Sequence, residues 1–371
     1  MNILVTGSNG FIGKNLITVL QTLPDVVVLP FDQQHTADDL RAHTLAADLV
    51  LHLAGINRPQ TVEEFQTGNV DLTRQLCALL LEAGRSTPIV LSSSIQAELD
   101  NPYGISKQQA EQVLADYSAH SGARVVIFRL SNVFGKWCRP NYNSVVATFC
   151  HNIARDLPIS ISDPARSVPL VHVDDVVRAF VDELHRDGSG MTYREVQPVF
   201  TVTLGRLAEL ITSFRASRQS LLTPDLSDPF TFKLYGTFLS YLAPHDFAYD
   251  LTKRTDPRGS LAEFVKSPTS GQIFVSRTKP GITRGNHYHH LKTEKFLVLE
   301  GQAIIRFRSI LDEREVIEYA VDGDDYRVLD IPPGYTHSIE NVGTGTLVTL
   351  FWASEIFDPA HPDTIWQEVL P

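Results

Sequence analysis

The chain opens with a short apolar run over residues 2–6 (NILVT) that ends in glycines. Similar runs recur at Val26–Leu29, Leu49–Leu53, Ile89–Leu91 and Val125–Phe128. Stretches of helical periodicity separate them, among them Leu72–Ala83 and Ser106–His120. Short apolar strands alternating with helices predict a parallel sheet built from βαβ units, and the pattern continues to about Ile211. Residues 218–257 break it. Prolines and aromatics (Pro224, Pro229, Phe230, Tyr235, Tyr241, Pro244, Tyr249, Pro257) with weak periodicity read as a packed connector. Beyond it come short runs with turn residues between them: Gln272–Thr278, Lys295–Leu299, Gln302–Arg308, Glu315–Ala320, Arg327–Ile331 and Thr346–Ala353. That spacing predicts an all-β sandwich or barrel. The expected organisation is a doubly wound Rossmann-type α/β domain over residues 1–245 and an all-β domain over 246–371.

A length of 371 residues suits two cores better than one. With 43% hydrophobic and 20% charged residues the chain has ordinary globular usage. No apolar run approaches the roughly 18 residues that spanning a bilayer needs. No basic leader precedes a long apolar stretch. The net charge of −11 lacks the basic footprint of a nucleic-acid binder. Cys77, Cys138 and Cys150 are too few and too scattered for a disulfide framework or a cysteine zinc site. The expectation is a cytoplasmic enzyme or binding protein with neither nucleic acid nor membrane as partner.

The loop from Thr6 to Gly13 (TGSNGFIG) follows the first strand and opens a helix. Glycines let backbone approach a pyrophosphate closely, and a helix N-terminus supplies unpaired N–H groups. This makes Gly7, Gly10, Phe11, Ile12 and Gly13 candidate dinucleotide-binding residues. Asp32, at the end of the second strand, would accept hydrogen bonds from a ribose and repel a 2′-phosphate. Tyr103 and Lys107 stand four apart, on one face of a helix. An ammonium beside a phenol is expected to lower the phenol pKa and make Tyr103 a proton donor and acceptor at a carbonyl. Upstream, residues 89–94 (IVLSSS) run a strand into serines at the sheet edge where ligands bind.

Together these motifs resemble the extended short-chain dehydrogenase/reductase family. The resemblance takes in His52-Leu53-Ala54-Gly55, Arg129, Asn132, Phe134-Gly135 and Val171–Asp175, and covers most of residues 1–215. It implies Ser94, Tyr103 and Lys107 as the catalytic group, Leu53, Ala54 and Gly55 as cofactor contacts and Asn132 as a contact for a nucleotide sugar. The Asp-Glu pair with which the family's dehydratases follow the serine is replaced by Ile95-Gln96, which favours a reductase or epimerase. Residues 136–143 (KWCRPNYN) are polar and aromatic enough to be a substrate loop.

The second half holds His287, His289, His290 and Glu294, with His337 behind residues 332–336 (PPGYT). His287 and His289 share one face of a strand. Three imidazoles and a carboxylate suit zinc and other divalent first-row metals. These stretches resemble the two cupin motifs, except that Tyr326 stands where the family has a glycine. The resemblance implies His287, His289, Glu294 and His337 as ligands, with His290 able to replace a neighbour. Residues 284–287 (RGNH) and 295–298 (KFLV) are also similar to the deoxysugar 3,5-epimerase branch of cupins. That likeness would make His287 a base and Lys295 a substrate contact. A metal-bound imidazole has no lone pair left for a base, so the two roles exclude each other.

The whole architecture is similar to bifunctional capsular-polysaccharide enzymes that make UDP-2-acetamido-2,6-dideoxy-L-talose, the precursor of UDP-N-acetyl-L-fucosamine. That resemblance implies a UDP-sugar substrate, a homodimer, NADPH with NADH as the alternative, and a divalent metal, zinc foremost. Its activities would be C3 epimerisation in the cupin and C4 reduction in the reductase. The competing expectation is a reductase or epimerase alone, with the cupin as a binding or dimerisation module.

Overall fold

The computed structural model describes residues 1–370. The chain divides into two compact units, Met1–Thr212 with Pro229–Ala243, and Ser213–Asp228 with Pro244–Pro371. Strands of the first unit are β1 (Asn2–Thr6), β2 (Val27–Phe31), β3 (Leu49–His52), β4 (Ile89–Ser94), β5 (Val125–Leu130), β6 (Asn132–Phe134), β7 (Ser167–His172), β8 (Met191–Arg194) and β9 (Val199–Thr203). A six-stranded parallel sheet runs in the order β2-β1-β3-β4-β5-β8, and β6-β7-β9 form a small side sheet. Alternate residues of the central strands enter two different cores. Ile3, Val5, Leu51, Val90 and Val126 pack with Leu16, Leu20, Val176 and Phe180 of helices Phe11–Leu20 and Val173–Val181. Leu4, Val50, Ile89, Leu91 and Val125 pack with Leu76, Leu80, Leu114 and Tyr117 of helices Leu72–Glu82 and Pro102–Ser121. A strand covered on both faces is apolar throughout, which is why these runs do not alternate.

The second unit contains β10 (Lys253–Asp256), β11 (Gly259–Ser267), β12 (Gly271–Thr278), β13 (Thr283–Tyr288), β14 (Glu294–Glu300), β15 (Gln302–Ser309), β16 (Asp312–Asp322), β17 (Val328–Ile331), β18 (Tyr335–Asn341), β19 (Leu347–Ala353) and β20 (Ile365–Trp366). Two antiparallel sheets, β10-β11-β12-β19-β14-β17 and β16-β15-β18-β13-β20, enclose Phe296, Val298, Ile305, Phe307, Ile339 and Phe351. This is a sandwich of the jelly-roll kind.

The connector differs from its expectation. It holds helix Pro229–Leu239, which buries Phe230, Leu234, Thr237 and Phe238 in the first unit. Just before it, the Thr223 N–H donates to the Lys266 carbonyl and the Lys266 N–H to the Leu221 carbonyl, both at 2.8 Å, so this segment pairs with β11. Along the chain the segments of the two units therefore alternate, so a single boundary at residue 245 does not separate them, although the last change falls at 243/244. Among the described residues no helix is long and apolar enough to cross a membrane.

Candidate functional site

In the first unit, Gly10 is the extended N-cap of helix Phe11–Leu20, and no side chain caps that end. Its first-turn N–H groups are thus free for an anion. Gly7 has φ +70°, and a Cβ there would stand 2.8 Å from the Ala54 nitrogen. A Cβ on Gly13 would collide with the Gly7 carbonyl and stand 2.8 Å from that of Ser8. The loop lies against residues 53–55, where the Leu53 N–H donates to the Thr6 carbonyl and the Ala54 N–H to Thr6 Oγ1, each at 3.2 Å. Asp32 follows β2 and accepts the Asn9 N–H at 2.7 Å and the Gln33 N–H at 2.8 Å. This cradle of uncapped donors, closed to any Cβ and flanked by a carboxylate, fits a dinucleotide.

Ser94 ends β4, and its hydroxyl accepts the Gln96 N–H at 3.2 Å. Asn101 caps the next helix through the Gly104 N–H at 2.9 Å, which sets Tyr103 and Lys107 one turn apart. Burial raises the Tyr103 phenol, and a hydrogen bond with Ser94 pulls it back. Lys107 is 6% exposed and donates to the Ser92 carbonyl at 3.1 Å. Burial pushes its amine down to about 8 against the pull of the Glu111 carboxylate. The expected lowering of the phenol by the ammonium is therefore not found in this arrangement. A buried pair desolvates both charged forms, and the phenol stays protonated.

Three buried residues surround this group, of which Glu111 and Asn69 were not singled out from the sequence and His52 was named only as part of a motif. Glu111, one turn beyond Lys107, is 3% exposed and accepts from Ser93 Oγ at 2.5 Å, Arg129 at 2.6 and 3.0 Å, and Tyr193 at 3.1 Å. Asn69 accepts the Ile56 N–H at 2.7 Å and donates to Ser106 Oγ at 2.9 Å. The His52 ring lies 2.6 Å from Thr6 Oγ1 and 2.9 Å from Thr73 Oγ1. Burial, then the nearby Lys107 charge, push His52 down to about 3, so it is neutral. An acid and an amide on apolar helix faces were the available signals. Asn132 lies exposed on β6 and donates to the Pro169 carbonyl at 3.0 Å.

In the second unit, one ligand atom from each of His287, His289, Glu294 and His337 lies within 4.8 Å of the others. Strand pairing does this: His287 on β13 faces His337 on β18, and Glu294 begins β14. The Nε2 atoms of His289 and His337 are buried without hydrogen-bond partners and stand 3.6 and 3.5 Å from the Glu294 carboxylate. His289 Nδ1 is bonded to the Asp363 carbonyl, which fixes the tautomer with Nε2 free as a ligand. The Asp363 carboxylate accepts the N–H groups of His290, Leu291 and Lys292 at 2.7–2.9 Å. Burial alone would raise the Glu294 carboxyl, but His289, His337 and Lys292 hold it below the usual carboxylate range. Two orphaned imidazole nitrogens aimed at an ionised carboxylate fit a divalent cation. His287 is half-buried, and burial followed by its two histidine neighbours pushes it down to about 4.

His290 lies outside this set, exposed and with its ring against Tyr288. Lys295 is not brought to the site. Strand alternation sends it to the face opposite Glu294, where it pairs with Asp330. Tyr326 carries φ +46°, a left-handed conformation that glycine adopts more readily.

Residues 3–193 match the NAD dependent epimerase/dehydratase family, and residues 254–365 match the polysaccharide biosynthesis C-terminal domain. The chain is 45% identical to a UDP-2-acetamido-2,6-beta-L-arabino-hexul-4-ose reductase of Pseudomonas aeruginosa over 98% of both proteins. It is 46% identical to the crystal structure of capsular polysaccharide assembling protein CapF from Staphylococcus aureus, with a TM-score of 0.91, covering 99% of this chain and 100% of that one. A UDP-glucuronic acid 4-epimerase from Bacillus cereus, solved with NAD, matches 58% of this chain and 85% of its own at 19% identity and a TM-score of 0.53, a likeness of fold alone.

Proposed function

From its membership of the NAD dependent epimerase/dehydratase family, to which this chain belongs, we propose that it is a nucleotide-sugar reductase of capsular polysaccharide biosynthesis acting on a UDP-4-keto-6-deoxy-HexNAc. The observation that carries this reading is the Ser94, Tyr103 and Lys107 group at the carboxyl edge of the sheet that ends in the glycine loop. A nicotinamide dinucleotide, NADPH or NADH, would supply the hydride to C4. Tyr103, kept protonated by burial, gives its proton to the ketone oxygen. Ser94 holds that oxygen, and Lys107 donates toward the edge of β4. The position of Asp32 beside the loop supports NADH, and the family resemblance supports NADPH.

The second unit epimerises C3 before reduction, giving UDP-2-acetamido-2,6-dideoxy-L-talose after both steps. His287, His289, Glu294 and His337 would hold a divalent metal, zinc foremost, which supplies Lewis acidity. A second reading makes this unit a binding or dimerisation module. It is favoured by His287 standing within the ligand cluster, where an imidazole bound to metal has no lone pair for C3. Incubating the protein with the UDP-4-keto sugar in deuterated water, with and without NADPH or NADH, tests both. Deuterium at C3 without reductant supports epimerisation; its absence leaves a reductase. No consumption of the ketone with either reductant would sink the proposal.

A further inference from the structure

The loop from Gly135 to Asn143 is fastened at several points. The Lys136 carbonyl accepts from Asn15 Nδ2 at 3.2 Å, and its amine pairs with Asp174 at 2.7 Å. The Cys138 carbonyl accepts the Tyr241 hydroxyl at 2.6 Å, and the Asn141 N–H donates to Thr148 Oγ1 at 3.0 Å. Arg139 projects from this fixed backbone with its guanidinium carbon 5.0 Å from the centre of the Tyr142 ring. Arg58, from the loop after β3, brings a second guanidinium to the same ring at 5.7 Å. Both arginines are exposed, and neither forms an ion pair among the described residues. Lys136, by contrast, is neutralised by Asp174.

Two like charges gathered on one aromatic ring repel each other, and no carboxylate there relieves them. The arrangement suits an anion with oxygens on both sides, because each guanidinium is a planar fork of donors matched to phosphate. Cation–π contact with Tyr142 orients the forks before the anion arrives. The dinucleotide already has its own phosphate cradle at Gly7–Gly13, with backbone donors and a helix N-terminus. We infer that Arg58, Arg139 and Tyr142 form the subsite for the diphosphate of the nucleotide sugar, distinct from the cofactor's. This rests on the reading of the substrate as a nucleoside-diphosphate sugar.

UDP is the probe, titrated calorimetrically into the full-length protein saturated with NADPH or NADH. The expected result for Arg58→Ala/Arg139→Ala is UDP affinity weakened at least 30-fold at one site per chain. UMP should be affected less and dinucleotide affinity unchanged. Tyr142→Phe should bind like wild type and Tyr142→Ala should lose several-fold. Each single arginine variant, safe for folding because both side chains are exposed, should lose about half of the double variant's effect on a logarithmic scale. If wild type binds UDP and the double variant binds it equally, the subsite is wrong while the substrate reading stands. If dinucleotide affinity falls instead, the arginines serve the cofactor and the inference is overturned. If wild type binds neither UDP nor UDP-sugars, both fail together.

Discussion

Replacing Glu111 with Gln removes one charge from a buried cluster and leaves its shape. Arg129 would then keep only Glu98, whose side chain is 70% exposed, as an ionic partner at 2.9 Å. Breaking a buried pair by neutralising one member costs about 3–5 kcal/mol. Arg129 is 27% exposed on its side chain, so water relieves part of this, and about 3 kcal/mol is the better figure. For a unit of this size one kcal/mol moves Tm by about 2–4 °C, so the first unit should melt about 6–12 °C lower. A second effect reaches the reaction. Glu111 opposes the burial that pushes Lys107 down to about 8, so without its charge the amine titrates lower. The folded pKa lies below the ordinary 10.5, so between about 8 and 10.5 the unfolded state holds more protons. Stability from this group therefore rises with pH across that window, and in the variant the rise should begin at lower pH. The alkaline limb of the reduction rate should move the same way. Calorimetric melting from pH 6 to 10 and a pH–rate profile are the assays. An unchanged Tm together with an unmoved alkaline limb would refute the reasoning.

Tyr103→Phe should lower the rate of ketone reduction by at least about 100-fold while dinucleotide affinity is retained; oxidation of the cofactor at near wild-type rate would remove Tyr103 from the reaction. One equivalent of divalent metal should be found by elemental analysis of protein prepared without chelator, and His289→Ala/His337→Ala should abolish it; undiminished metal would overturn the ligand set. His52, neutral when folded with a pKa of about 3 against 6.5 unfolded, binds its proton first in the unfolded state. Stability should therefore fall as pH drops from about 6.5 toward 3, and His52→Gln should flatten that fall in acid melting curves.

The elements easiest to read were those whose periodicity and burial agree. The central strands are apolar on both faces because helices cover both, and the glycine loop is legible because close backbone packing admits no Cβ at Gly7 or Gly13. The helix Pro229–Leu239 was harder. Phe230, Leu234, Thr237 and Phe238 do repeat at helical spacing, but Phe232, 59% exposed, blurs the stripe. Lys295 entered through the likeness to the epimerase branch, which does not fix its face; next to Glu294 on one strand, it points to the opposite side. The histidine cluster was legible in its members, but the free Nε2 of His289 depends on Asp363, more than seventy residues away, which sequence spacing alone does not reveal.

The proposed pair of activities has an internal chemical order. Only while C4 is a ketone is the C3 proton acidic, since the enolate formed by its removal places charge on the C4 oxygen. Once hydride reaches C4 and Tyr103 has protonated that oxygen, this stabilisation is gone and C3 is fixed. Reduction is thus a trap for whichever C3 configuration the reductase accepts. A slow reductase with a fast epimerase would leave both epimers in exchange, and the product would be set by the reductase site. A fast reductase would instead trap the epimer supplied. In that proposal Lys107, pushed down to about 8 by burial, and Tyr103, raised by burial, would act on the reduction and not on the epimerisation. Raising pH across that range should therefore change the ratio of C3 exchange to reduction, if the two sites are chemically independent.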